Sequence, residues 1–232
     1  MHRSPRLLIT AGPTHEPIDA VRYIGNRSTG RMGLALAQAA IDRGLSATLM
    51  LGPTSLPTPT SSLLAVHRFQ TAADLQRLLA DHWPAHDVLI MAAAVADFRP
   101  RAPVGIGKLR RGSDNLTVDL EPTPDLLAGL GSMMREEQRV IGFALEPATE
   151  LQASAREKLR RKGLHAIVAN PLETMDSERI TATLILADGS IRTPGADLAK
   201  NDFAAWLIDQ SLKLGYEEGP GIAIPGPRDQ SR

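Results

Sequence analysis

The chain contains no cysteine. That absence excludes disulfides, thiolate zinc sites, thiol nucleophiles and thiol redox chemistry together. Aromatic residues make up only 3% of the sequence, too few to stack along a single-stranded nucleic acid. Charge of one sign is also lacking: 26 lysines and arginines balance 26 aspartates and glutamates. No overall field therefore draws the protein to nucleic acid or to an anionic membrane, and any anion site must be local. No apolar run reaches the roughly 18 residues of a membrane span. The polar start, Met1 to Arg6, lacks the apolar centre of a signal peptide. These absences describe a soluble, cytoplasmic protein with no nucleic-acid or membrane partner.

What the sequence does contain is a regular alternation. It has 232 residues, 43% of them hydrophobic, enough to enclose a sizeable core. Short apolar runs at 7–10, 47–51, 66–70, 87–96, 140–144 and 166–169 predict buried strands. Helical spacing at 32–43, 71–81, 149–162 and about 197–214 predicts helices, with Gly44 closing the first and Thr71 capping the second. Strands alternating with helices predict an α/β fold, a doubly wound, Rossmann-like parallel sheet covered on both faces. The expected organisation is a single domain over 1–216 followed by a Gly- and Pro-rich, disordered tail at 217–232. Two stretches break the pattern. Residues 99–121 are too rich in Pro, Gly and Arg for a helix, and 181–193 read as a hairpin turning at Asp188-Gly189. Both are expected to form a β-arm, paired with each other or with a second subunit.

In such a sheet ligands bind beyond the carboxyl ends of the strands, so the following loops hold the candidate site. The first carries Gly12-Pro13-Thr14-His15-Glu16-Pro17, then Arg22-Tyr23-Ile24-Gly25-Asn26-Arg27-Ser28-Thr29-Gly30-Arg31-Met32-Gly33 before a helix. Small residues, hydroxyls and arginines ahead of a helix N-terminus make an anion cradle. Turn formation and solvation account for a loop of this kind equally well. It is not a P-loop, because Arg31-Met32 follows Gly30 where Lys and Ser/Thr are needed, and the dinucleotide spacing G-x-G-x-x-G is absent. Ala92-Ala93-Ala94-Val95-Ala96 would let a flat ligand approach the backbone, and Asp97 could hold a sugar, a base edge or a metal, or cap a turn. Lys108-Leu109-Arg110-Arg111 is either a solvated surface or a basic segment that stabilises developing charge. Thr123, before Pro124 and Asp125, reads as a helix cap. Lys158 and Lys162, four residues apart, share a helix face where both could meet one phosphate, or merely extend a solvated basic face. His82 and His86 flank Trp83-Pro84, which breaks helical geometry, so no transition-metal site is expected.

Taken in order, these motifs, with Gly142-Phe143-Ala144 and Val168-Ala169-Asn170, resemble the phosphopantothenoylcysteine synthetase family from Leu7 to about Leu214. The resemblance implies a ligase of coenzyme A biosynthesis. A nucleoside triphosphate, CTP in bacterial members, converts the carboxylate of 4'-phosphopantothenate to an acyl nucleotide, and cysteine then captures it as an amide. It implies Asn26, Lys108 and Arg22 as catalytic residues, with Asn26, Ala93 and Ala94 on the acyl substrate. Around the nucleotide it implies Gly12, Ser28 and Gly30, with Asp97, Phe98 and Lys108 beside them. Pro124, Asp125, Leu126, Phe143, Lys158 and Lys162 complete that pocket, and Asp97 is the implied contact for Mg²⁺. A homodimer is implied as well, and a separate phosphopantothenoylcysteine decarboxylase, because no flavin-dependent domain precedes Leu7. The chain departs from the family at Gly25 for Ser, at Arg31, Arg110 and Arg111 for Lys, at Leu109 for Ile and at Thr123 for Asn. Two other readings are a nicotinamide-dependent oxidoreductase and a non-catalytic nucleotide-binding regulator. The first wants a Tyr-x-x-x-Lys pair, but Arg27 follows Tyr23 and Pro220 follows Tyr216 at that spacing.

Overall fold

Runs of four or five apolar residues with no polar alternation bury both of their faces, and the parallel sheet is built from such runs. The computed structural model describes residues 4–101, 107–110, 115–130, 134–174 and 177–216. The expected tail at 217–232 and much of the 99–121 arm, including Arg111, lie outside them. In chain order, β1 (Leu7–Ala11) is followed by β2 (His15–Pro17), β3 (Tyr23–Gly25), α1 (Arg31–Asp42), β4 (Ala47–Leu51), β5 (Leu64–Arg68) and α2 (Ala72–His82). Next come β6 (Val88–Met91), β7 (Phe98–Pro100), β8 (Leu120–Pro122), α3 (Leu126–Leu130), β9 (Arg139–Glu146), α4 (Leu151–Arg161) and β10 (Ala166–Pro171). Then follow β11 (Arg179–Ile180), β12 (Thr183–Leu186), β13 (Ile191–Arg192), β14 (Leu198–Ala199) and α5 (Lys200–Tyr216). Every residue of β1, β4 and β6 is buried.

The main sheet runs β13-β12-β10-β9-β6-β1-β4-β5. From β5 to β10 its strands are parallel, and the antiparallel β12 and β13 extend the β10 edge. Chain progression runs outward from β1 in both directions, so it reverses between β1 and β6 and opens a crevice beyond their carboxyl ends. Leu7, Ile9 and Ala11 pack in the layer of α1 and α5, while Leu8 packs with α2 and α4, as the two-residue period of a strand requires. Helix α1 presents Gly33, Ala35, Ala37, Ala39 and Ala40 among its buried residues, and these small side chains let it lie close to the sheet. At Gly33 the approach is closest: an added Cβ would sit 2.2 Å from Ala11 Cβ and 2.9 Å from Ala11 Cα.

The fold class is the expected one, with several local differences. The first long loop contains the β2–β3 hairpin, whose strands are too short to show a period. The strand expected at 87–96 ends at Met91, because the amides of Ala93 and Ala94 turn to Thr10 Oγ1 and Gly12 O, each at 3.0 Å. The hairpin expected as an arm at 181–193 belongs to the main sheet instead. Leu184, Ile185 and Leu186 are buried, and a strand apolar on both faces needs helices on both sides, which β10's neighbourhood supplies. Residues 98–100 and 120–122 pair only with each other, as the ribbon β7–β8, and not with 181–193. No helix of the described residues is long and apolar enough to cross a membrane.

Two outcomes are expected from this packing. Gly33→Ala should destabilise the fold by about 1–3 kcal/mol, because the backbone of β1 must give way, and a urea titration should register it as a lower midpoint with unchanged slope. His165 accepts from Val140 N–H at 3.1 Å, and burial, with Arg139 nearby, lowers its pKa from 6.5 to about 4. The unfolded chain therefore takes up a proton below pH 6.5 that the folded chain refuses until about pH 4. Stability should be complete above that window and fall across it by at most about 3 kcal/mol. Urea midpoints measured from pH 7 to pH 4.5 check the slope, and His165→Gln should flatten it.

Candidate functional site

The site begins where three glycine-lined turns meet. Gly12 leaves β1 with φ 84°, and Gly30 caps α1 with φ 79°. An added Cβ at Gly30 would meet Gly12 Cα at 3.3 Å, and one at Gly12 would meet the Gly52 backbone at 3.2 Å. This close approach sets the N-terminus of α1 against the end of β1. Gly30 gives α1 no side-chain cap, and the first turn holds no acidic residue. Ser28 Oγ accepts from Gly30 N–H at 3.3 Å, and Thr29 Oγ1 makes only a long contact of 3.5 Å with Arg31 N–H. The first turn thus offers an anion the partial positive charge of the dipole.

The β2–β3 hairpin is pinned at both ends. His15 N–H donates to Gln70 O at 2.7 Å, and the buried Glu16 carboxylate accepts from Ala72 N–H at 2.8 Å, at the start of α2. At the hairpin tip Asp19 Oδ1 accepts from the amides of Val21 and Arg22, at 2.8 and 2.7 Å. Its Oδ2 accepts from Leu109 N–H at 3.0 Å and from Arg22 Nη1. Burial would raise the Asp19 pKa, but these three backbone donors and the Arg22 charge outweigh it and bring the group down to about 2. Arg22 and the backbone beside Lys108, distant in sequence, are thereby brought together. Asp19 escaped the sequence reading, which named Glu16 only as a member of the first loop and gave it no role. The available signal was an aspartate two and three residues before its own backbone donors, the mark of an Asx-type turn.

Asn26, just after β3, donates from Nδ2 to Val95 O at 3.1 Å, which joins it to the loop bearing Ala93 and Ala94. Thr14 locks the same loop from the β1 side, donating N–H to Ala94 O at 3.1 Å and accepting Ala96 N–H on Oγ1 at 2.9 Å. Asp97 and Phe98 are exposed at the foot of the ribbon. The Asp97 carbonyl accepts from Thr123 N–H at 2.9 Å, and Thr123 Oγ1 donates to Ala96 O at 2.5 Å. Thr123 is therefore not the helix cap expected of it. Asp125 takes that place, accepting from Leu127 and Ala128 N–H at 3.2 and 3.3 Å, with Pro124 before it and Leu126 opening α3.

Lys158 of α4 and Lys162, the residue that follows its last turn, do not converge. Lys158 Nζ lies 3.0 Å from Glu146 Oε1 at the end of β9, whereas Lys162 Nζ lies 3.2 Å from Asp125. Each ammonium has three donors and one carboxylate partner, so a phosphate would either share the ammonium with that carboxylate or displace the carboxylate. Phe143 packs in the layer of α1 and α5, on the opposite face of the sheet from α4. It is therefore not gathered with Lys158 and Lys162. Among the described residues no three His, Asp or Glu side chains cluster closely enough to hold a metal. Between β1 and α1 lie 12–30, with a hairpin inside them, in place of the tight turn of a dinucleotide-binding unit.

A family model described as the DNA/pantothenate metabolism flavoprotein C-terminal domain matches residues 2–214. A cysteine/cysteine sulfinic acid decarboxylase from an unknown prokaryotic organism is 45% identical over 168 residues, 72% of this chain and 46% of that protein. The coenzyme A biosynthesis bifunctional protein CoaBC of Escherichia coli is 35% identical over 218 residues, 91% of this chain and 52% of that protein. The crystal structure of the C-terminal domain of a CoaBC protein superposes with a TM-score of 0.78 at 33% identity, covering 93% of this chain and 98% of that one. The chain spans about half the length of the curated relatives it matches. With a family match across 2–214 and a relative of one-third identity covered almost end to end, the chain belongs to the DNA/pantothenate metabolism flavoprotein C-terminal domain family, in agreement with the resemblance carried by its motifs.

Proposed function

We propose that the protein is a cytoplasmic phosphopantothenate–cysteine ligase of coenzyme A biosynthesis that uses CTP. A carboxylate oxygen of 4'-phosphopantothenate attacks the α-phosphorus of CTP, the bond to pyrophosphate breaks, and an acyl cytidylate forms. The amine of cysteine then attacks the acyl carbon, CMP leaves, and the amine gives up its proton. No enzyme nucleophile is needed, and a chain without cysteine carries no thiol of its own to intercept the acyl group.

The observation that carries this reading is the meeting of Asn26 with the Ala93–Ala94 loop at the crevice between β1 and β6, beside the α1 N-terminus. In this reading Asn26 holds the acyl nucleotide against the alanines, whose small side chains admit it. Arg22 and Lys108 meet charge on the phosphates or on the developing oxyanion. Gly12, Ser28 and Gly30 shape the anion cradle. Asp97, Phe98 and the Pro124–Leu126 turn border the nucleotide. Phe143, Lys158 and Lys162 are assigned to its pocket on the resemblance alone, with the ion pairs to Glu146 and Asp125 exchanging for phosphate. Asp97 is an exposed single carboxylate with no acidic cluster around it among the described residues, which fits an ion carried in by phosphates and not an all-protein cage. When bound, Mg²⁺ would neutralise phosphate charge during the displacement. The proposed homodimer would use the exposed Val21, Tyr23, Phe98 and Leu120 of the hairpin and ribbon.

The expected result is pyrophosphate release from CTP that depends on phosphopantothenate and exceeds release from ATP, GTP or UTP. A well-folded sample that binds CTP without releasing pyrophosphate would instead be the nucleotide-binding regulator. Asn26→Asp and Lys108→Gln should each lower turnover by about a hundredfold while leaving circular dichroism unchanged, and Asn26→Asp should cost no more than about 1 kcal/mol of stability through its exposed bond to Val95 O. Asn26→Asp should in addition release or stall the acyl cytidylate, detectable by mass spectrometry. Full turnover in both variants removes the assignment.

A further inference from the structure

The hairpin tip holds a carboxylate that the reaction above does not use. The Asp19 side chain is completely buried, yet it is ionised and takes four donors, two on each oxygen. A turn alone would employ only Oδ1, through Val21 and Arg22 N–H. Oδ2 reaches across 90 positions of sequence to Leu109 N–H at 3.0 Å and also takes Arg22 Nη1. Two further bonds run between the same segments: Ala20 N–H donates to Gly107 O at 3.2 Å and Arg22 Nη1 donates to Leu109 O at 3.4 Å. Burying a charge is costly unless it is fully satisfied, so this carboxylate stabilises one arrangement of its partners over all others.

We propose that Asp19 is a positioning residue for the ligation proposed above, on which this inference rests: it holds Arg22 and the main chain beside Lys108 in one fixed relation, so that both cations act on the same substrate. Arg22 is 47% exposed at its side chain, with Nη1 engaged by Asp19 and Leu109. The two bonds of Nη1 restrain the planar guanidinium, and among the described residues its Nε and Nη2 make no other bond. Lys108 is exposed, but the amide next to it is anchored, so only its side-chain torsions remain to be ordered when substrate binds.

Asp19→Asn tests this. The amide keeps an acceptor for the turn but sets N–H groups against Leu109 N–H and the Arg22 guanidinium. Hydrogen–deuterium exchange of the free full chain should show the Leu109 amide exchanging about tenfold faster or more. In the ligation assay kcat should fall about tenfold or more with KM for the nucleotide nearly unchanged. In a Lys108→Gln background the same substitution should cost at least about threefold less than in the wild type, because one of the two cations it positions is already gone. An equal loss in both backgrounds, or unchanged Leu109 exchange whatever the activity of the wild-type chain, overturns the proposal. If Asp19→Asn does not fold, Asp19→Glu is carried through the same cycle and judged by the same outcomes. Accelerated exchange in a protein whose wild-type form performs no ligation overturns the functional reading alone.

Discussion

Where α1 crosses β1 there is no room for even a methyl group at Gly33, and that contact sets the geometry of everything above it. It draws the helix N-terminus down to the carboxyl end of β1, where Gly12, Gly30 and Gly52 lie backbone to backbone. The crevice left by the reversal between β1 and β6 then has one rigid wall with a helix dipole in it. The other wall is the alanine loop after β6, locked by Thr10 and Thr14 hydroxyls. Neither wall contributes a reactive group. Both are built so that a ligand can come close to backbone, which is what a reaction run by positioning and charge stabilisation requires.

The cations come from elsewhere, and carboxylates organise them. Asp19 ties Arg22 to the Lys108 segment, Glu146 engages Lys158, and Asp125 both caps α3 and engages Lys162. Glu16 fixes the hairpin to the start of α2. In a chain with no net charge, Arg22, Lys158 and Lys162 are each met by a carboxylate that holds the cation in place. The partners differ in depth: Asp19 is buried, whereas Asp125 is exposed, so the first tie is structural and the second exchangeable.

The loops that meet at the crevice were legible in the sequence because they are runs of unusual composition at strand ends. Ala93, Ala94, Asp97 and the glycines are nominated from position in the pattern, whereas Asn26 is singled out only by the resemblance to the family. Neither route gives Asp19 or Glu16 a role. A carboxylate that serves a backbone amide far along the chain has no local period, and its role exists only once the chain has folded. Lys158 and Lys162 illustrate the converse: helical spacing correctly placed them one turn apart but said nothing of the carboxylates waiting for each. The 181–193 hairpin was recognised as a hairpin and misplaced, because strand pairing across a sheet is a long-range choice.

By itself, then, apolar periodicity in the sequence was enough for the layers and for the main strands and helices of the parallel sheet, because burial on one or both faces leaves a local period. Short strands such as β2, β3, β11 and β14 leave none. Only the tertiary structure decided which loops meet. Asp19 finding Leu109, Asn26 finding Val95, Thr123 turning from the cap to Ala96 and β12 joining β10 all depend on contacts between segments distant in the chain. Such contacts are selected by burial and by satisfaction of polar groups over the whole core, and no local window of residues contains that information.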